Sequence, residues 1–134
     1  LSEYFVELRD SIMIAHSLPD PFFGPAQGMH GATFTVDVQF VADRLTDKNV
    51  VVDIGKAMEA LSATLKPLNY QNLDEIPAFK GQITTTEFLA RHIFDELAET
   101  ARSGGLGEGS ENIKQIRVYL HESHFARAGY NGTL

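Results

Sequence analysis

Five histidines carry most of the chemistry this chain could do, because cysteine is absent and nothing resembles a Walker loop or a nucleophile elbow. His16, His30 and His124 each stand at the end of a stretch that alternates apolar and polar, on its apolar side. Inward-facing side chains from neighbouring strands converge, so imidazoles at such places suit a metal pocket between strands. Neutral imidazole is a good zinc ligand, and three ligands with one open position make the catalytic pattern. Taken singly, each is equally a core histidine bonded to backbone. Glu122 continues the apolar row Ile116-Val118-Leu120. A carboxylate there must be paired, or the strand must be emerging into solvent. If it is inside, its two oxygens can accept parallel N–H bonds, which suits an amino-pyrimidine edge. His92 falls on the repeat of a helix and is expected to pack. His121 points away from Glu122 and is expected in solvent or at a subunit contact.

The elements that must position these groups follow from periodicity. Residues 4–16 alternate, with Val6, Leu8, Ile12, Ile14 and His16 on one side, and residues 30–42 do so most cleanly of all. Between them Pro19, Pro21, Gly24, Pro25 and Gly28 make a loop. Val50-Val51-Val52 is expected to be a short strand closing a hairpin. Asp53 is placed to cap a helix over 54–65, stopped by Pro67. Residues 68–83 are irregular. Thr84-Thr85-Thr86-Glu87 then opens a second helix to Arg102, as a capping arrangement or as a helix start whose free N–H groups hold a polar ligand. Residues 113–124 form the last strand, which places Glu122 and His124 on one face. The order predicts an α+β domain over 1–134: an antiparallel four-stranded sheet with two helices on one face. Open edges in so small a sheet predict a homo-oligomer.

Bulk composition narrows the partners. A net charge of −7 argues against nucleic acid, and no apolar run is long enough for a bilayer. The first residues do not have a signal-peptide layout, and a chain without cysteine is compatible with the cytoplasm, the expected location. The chain opens on Leu rather than Met, which leaves room for residues upstream.

In six places, in order, the chain resembles the 6-pyruvoyl-tetrahydropterin synthase and 6-carboxy-tetrahydropterin synthase family, over about Tyr4 to Tyr130. Ile14-Ala15-His16 stands for the family's Ala-Ala-His, His30-Gly31-Ala32 for its His-Gly-His, and Val51-Val52-Asp53-Ile54 for its Val-x-Asp-Phe. Leu68-Asn69-Tyr70-Gln71-Asn72-Leu73-Asp74 stands for Leu-Asp-His-x-x-Leu-Asn, Thr84-Thr85-Thr86-Glu87-Phe88 for Pro-Thr-x-Glu-Asn, and Glu122-Ser123 for the late Glu-Thr.

The resemblance implies a tunnelling fold, in which sheets of several subunits close a barrel, commonly a homohexamer, with active sites between subunits. It implies a lyase-type enzyme using Zn2+ and a dihydroneopterin-type substrate, with Glu122, Thr85 and Thr86 binding the pterin. Folate, biopterin and deazapurine (queuosine-type) biosynthesis all fit it. Three departures stand out. Pro25-Ala26-Gln27-Gly28-Met29 has neither the family's nucleophilic cysteine nor the glutamate of some variants, the Asp-His pair reads Asn69-Tyr70, and the second histidine of His-Gly-His reads Ala32. His124 is therefore expected to replace the lost ligand, giving a metal site of His16, His30 and His124 with Asp20 in reserve. Tyr70, in place of the histidine, is expected to relay protons in the catalytic set with Glu122. The alternative to an enzyme is a non-catalytic pterin- or purine-binding homo-oligomer.

Overall fold

A computed structural model describes residues 2–134; Leu1, with which the sequence opens, lies outside the described residues. The two clean alternations become β1 (Tyr4–His16) and β2 (His30–Ala42), paired antiparallel along their whole length from Tyr4↔Ala42 to His16↔His30. Helix α1 (Ile54–Leu65) starts where Asp53 accepts the N–H of Lys56 at 3.1 Å. A two-residue strand β3 (Gln71–Asn72) follows, then α2 (Thr86–Arg102), β4 (Ile113–His121) and β5 (Arg127–Thr133).

The sheet order is β3-β1-β2-β4-β5. Even-numbered residues of β1, β2 and β4 face the helices. Leu8, Ile12, Phe34, Val36, Val38, Phe40, Ile116, Val118 and Leu120 join Ala57, Leu61, Leu89, Ile93 and Leu97 in one core. Burying this apolar surface is the main favourable term in folding. The spacing of the apolar positions, two along the strands and three to four along the helices, lets each element contribute to it.

Four expectations need correction. The sheet has five strands and is mixed, because β3 runs parallel to β1 at Ile14 and Ala15. Val50-Val51-Val52 is not a strand: Val51 and Val52 are buried in the core, and the segment turns where the Thr46 N–H donates to the Val50 carbonyl. The last segment, β5, was not anticipated. The β4 strand stops at His121, and the chain reverses where the Glu122 N–H donates to the Ala126 carbonyl, which begins the return along β5. His124 therefore lies in an exposed turn rather than on a strand face beside Glu122.

The face turned away from the helices is polar. Asp37, only 4 % exposed, accepts from Arg9 Nε at 2.7 Å and Nη2 at 2.9 Å and is bonded to His121 Nε2 at 2.7 Å. His121 is thus neither free in solvent nor without a partner. The strand edges are little covered: β3 lies along β1 only at Ile14 and Ala15, and among the described residues β5 has no neighbour on its outer side. Among the described residues no helix is long and apolar enough to cross a membrane.

Candidate active-site cleft

His16 and His30 face each other in the β1–β2 register, so two residues far apart in sequence become neighbours by strand pairing alone. Their rings meet edge to face with centroids 4.7 Å apart. His16 is 4 % exposed, and its Nδ1 is bonded to Thr84 Oγ1 at 3.0 Å. Burial, and after it the charge of His30, lowers the His16 pKa and favours the neutral ring. His30 Nδ1 lies 2.8 Å from the Gly28 carbonyl. A carbonyl only accepts, so Nδ1 carries a proton, and it is in the neutral ring that Nε2 presents a lone pair.

The opposite wall is the start of α2. Thr85 is its N-cap, its hydroxyl accepting from the Phe88 N–H at 3.1 Å. That leaves Thr86, buried in the first turn, to donate its hydroxyl to Glu122 Oε1. Glu122 is exposed as a residue, so the strand does emerge into solvent there, but its carboxylate is held by Thr86 rather than free. The groups surround a cleft of ≈ 590 Å³, large enough for a small heterocycle, lined by His16, His30, Thr33, Thr85, Thr86, Glu87 and Glu122. Leu18, Phe23, Ala26, Ala32 and Phe34 give it apolar walls.

A slightly larger cavity, ≈ 620 Å³, lies at the far end of β2, between Thr46–Ile54 and Glu108–Asn112. It has no histidine and no buried hydrogen-bonded cluster, so the smaller cleft is the better candidate for chemistry.

Of the expected site residues, His16, His30, Glu122, Thr85 and Thr86 come together in this cleft. His124 and Tyr70 do not line it. Tyr70 is 76 % exposed with a left-handed backbone (φ 59°), its N–H donating to the Met13 carbonyl at 2.7 Å. It borders a separate hollow with Asp10, Ser62 and Lys66. Asp20 caps a short 3-10 segment through the Phe22 N–H at 2.8 Å, and Asp74 accepts from the Ser17 N–H at 3.1 Å. Gln27 donates to the Gly24 carbonyl at 3.0 Å. None of these three lines the cleft. His92 packs edge-on against Phe79 at 4.9 Å, as its helical position suggested, and burial lowers its pKa.

Sequence reasoning missed Thr84, whose hydroxyl holds His16, and Phe23, Ala26 and Thr33. The Thr84-Thr85-Thr86 run flagged the helix start without assigning Thr84 a partner, and the Phe22-Phe23 pair between two prolines is the sequence signal for Phe23.

Among the described residues, no group of three His, Cys, Asp or Glu side chains is placed to hold a metal ion. Ala32, two residues along β2 from His30 and on the same side, lines the cleft where a third imidazole would complete the set. The donor set of this protomer therefore falls one ligand short of a three-imidazole centre.

The model of the family described as 6-pyruvoyl tetrahydropterin synthase matches residues 6–133. The chain belongs to this family. The tetrahydropterin synthase fold is also that of solved structures. The Caenorhabditis elegans 6-pyruvoyl tetrahydropterin synthase superposes with a TM-score of 0.79 at 20 % identity, covering 98 % of this chain and 97 % of that one. The Plasmodium falciparum 6-pyruvoyl tetrahydropterin synthase gives 0.79 at 15 %, covering 100 % of both chains. An uncharacterised protein of Wolinella succinogenes gives 0.68 at 13 %, covering 97 % of this chain and 98 % of that one. No curated protein matches the sequence. At such identities the likeness establishes a shared fold, and the residues of this cleft must carry any statement about chemistry.

Proposed function

We propose that the chain is a divergent, cytoplasmic tetrahydropterin-synthase-type enzyme of the lyase class, acting on a dihydroneopterin-type substrate in the His16–His30–Glu122 cleft. The observation that carries this reading is the Thr86–Glu122 bond standing across one cleft from the paired imidazoles, in a chain of this family. A carboxylate fixed by one oxygen keeps lone pairs on the other for the N–H groups of an amino-pyrimidine edge. Thr85 and Thr86, at the helix start, complete the polar rim.

The proton chemistry belongs to the imidazoles. His30, with its proton fixed on Nδ1 by the Gly28 carbonyl, takes a proton at Nε2 from the substrate side chain. His16, favoured neutral by burial and fixed through Thr84, lies beside it and can exchange that proton with a substrate oxygen. Glu122 orients the ring system so that the side chain meets these two groups.

Zinc, expected from the sequence, would find His16 and His30 here but no third ligand beside them in the same protomer. His124 in its exposed turn does not fit that role as it stands. The steps above use the chain's own groups.

Self-assembly is part of the proposal. The open edges of β1 and β5 are free to extend the sheet into a neighbour, as a barrel and ultimately a hexamer would require. Tyr70, outside its own cleft, would act as a proton relay only by entering the cleft of a neighbouring copy.

A second reading, a non-catalytic pterin-binding homo-oligomer, is favoured by Ala32, by Asn69-Tyr70 and by the absence of cysteine. Equilibrium binding and product analysis with 7,8-dihydroneopterin and its triphosphate separate the two. Binding with conversion of the side chain, both lost in Glu122→Ala, supports the enzyme. Binding without conversion supports the second reading, and no binding of either compound refutes both.

A further inference from the structure

A flat bicyclic ring has an edge and two faces, and the Glu122 carboxylate addresses only the edge. The faces must meet the apolar walls of the cleft, which are Leu18, Phe23, Ala26, Ala32 and Phe34. These walls are not equivalent. Phe34 is 2 % exposed and belongs to the core, so its ring is already packed. Leu18, Ala26 and Ala32 are aliphatic. The two imidazoles already meet each other edge to face. Phe23 is aromatic and half-buried, and it stands on the cleft. It is not among the side chains that pack on the hydrophobic core, so the core gives no reason for an aromatic ring there.

The backbone that carries this ring is braced from within. Asp20 accepts the Phe22 N–H on its carboxylate at 2.8 Å and the Phe23 N–H on its carbonyl at 3.0 Å. The Leu18 N–H donates to the Ala26 carbonyl at 3.2 Å and closes the segment on itself. Pro19, Pro21 and Pro25 fix φ at three more positions. Within the short 3-10 segment Pro21–Gln27, Phe23 and Ala26 are the half-buried residues, and both line the cleft. Phe22 points elsewhere, 86 % exposed, and meets Phe23 edge to face with centroids 5.2 Å apart. An edge-to-face neighbour covers at most one face of a ring, so Phe23 keeps a π face for something else.

We propose that Phe23 is a ligand-stacking residue, its ring lying against one face of the pterin while Glu122 and Thr86 hold the edge. This rests on the pterin reading above and adds to it the group that selects a flat conjugated ring. Stacking alone accepts any heterocycle with a π face, and the carboxylate alone accepts any matching N–H edge. Together they demand both features in one molecule. They also constrain the ring in two perpendicular directions, which directs its side chain toward His16 and His30.

The test is equilibrium binding of 7,8-dihydroneopterin to the full chain and to Phe23→Ala, Phe23→Leu and Phe23→Trp, with the pterin absorption band recorded free and bound. Phe23→Ala should weaken binding at least about tenfold. Phe23→Leu keeps an apolar side chain without a π face and should weaken it about three- to tenfold. Phe23→Trp should bind as tightly as the parent. Stacked chromophores absorb less strongly, so the bound band should be weakened in the parent and in Phe23→Trp, and less so in Phe23→Leu. Thermal unfolding and sedimentation of each variant show whether fold and assembly are kept. Phe23→Leu binding as tightly as the parent, or binding with the same weakened band, would overturn the inference and leave the pterin reading standing. So would a loss of affinity that appears only with a loss of assembly, since Phe23 would then serve a contact between copies. If the unaltered protein does not bind the compound, the pterin reading falls and the inference falls with it.

Discussion

Replacing Thr86 by valine isolates what the Thr86–Glu122 bond does. The side chain is 5 % exposed, and valine keeps its shape while removing the one O–H that reaches the Glu122 carboxylate. The N-cap of α2 is Thr85, so helix initiation is untouched. A hydrogen bond to a charged group contributes about 1.5–3 kcal/mol. Glu122 is exposed, so water replaces part of the bond and the lower end of that range applies. At about 1.4 kcal/mol per factor of ten, affinity for 7,8-dihydroneopterin should fall about tenfold. Stability should fall by no more than about 1.5 kcal/mol, the lower end of that range, because no buried carboxylate is left unpaired. Calorimetric titration reads the affinity and thermal unfolding reads the fold. An unchanged affinity in a folded Thr86→Val protein would refute the claim that this bond positions the ligand-binding carboxylate. A matching loss in Thr85→Val would refute the division of labour between cap and site.

Other perturbations test other parts of the structure. Ala32→His adds an imidazole on the side of β2 that carries His30, and zinc affinity in chelator competition should rise at least about tenfold; no gain would mean that position 32 does not face the histidine pair. Asp37 is held below the usual carboxylate range by the Arg9 hydrogen bonds first and His121 next, against the opposing effect of burial. A depressed folded-state pKa stabilises the protein above the unfolded value, about 3.9, and that contribution is lost as pH falls through the lower folded value. Asp37→Asn should therefore be less stable than the parent in urea at neutral pH, with the difference shrinking in acid; a constant difference would show that the charge is not responsible. Gly132 lies against the ring of Phe94, where an added Cβ would overlap Cζ and Cε1. Gly132→Ala should cost about 1–3 kcal/mol of overpacking, seen as a lower melting temperature, and an unchanged melt would mean that Phe94 can move aside.

What could be read from residue types alone depended on whether packing and periodicity told the same story. Both long strands and α1 were legible to the residue because each alternates or repeats against a single core. The β5 strand was hidden because its inward row is Ala128, Tyr130 and Gly132. Where the core is already filled by the Phe94 ring, the strand needs a residue without a side chain, and in sequence that residue looks like a turn. The error at His124 has the opposite cause. The pattern of residue types runs past the last paired residue, but a strand ends where its hydrogen bonds end, and the Glu122–Ala126 reversal comes first. The same distinction divides the site. His16 and His30 could be placed together because their parity on two paired strands determines their neighbour. Thr84, which is 68 positions from His16, and Thr86, which is 36 from Glu122, meet their partners only through the docking of α2 on the sheet. Tyr70 shows the limit of motif alignment. Its place in the motif matches a family position, but its location depends on which side of β1 the irregular segment returns to, and no local pattern encodes that. The cleft is therefore legible where strand register builds it and hidden where tertiary packing does, and Thr86→Val probes a contact of the hidden kind.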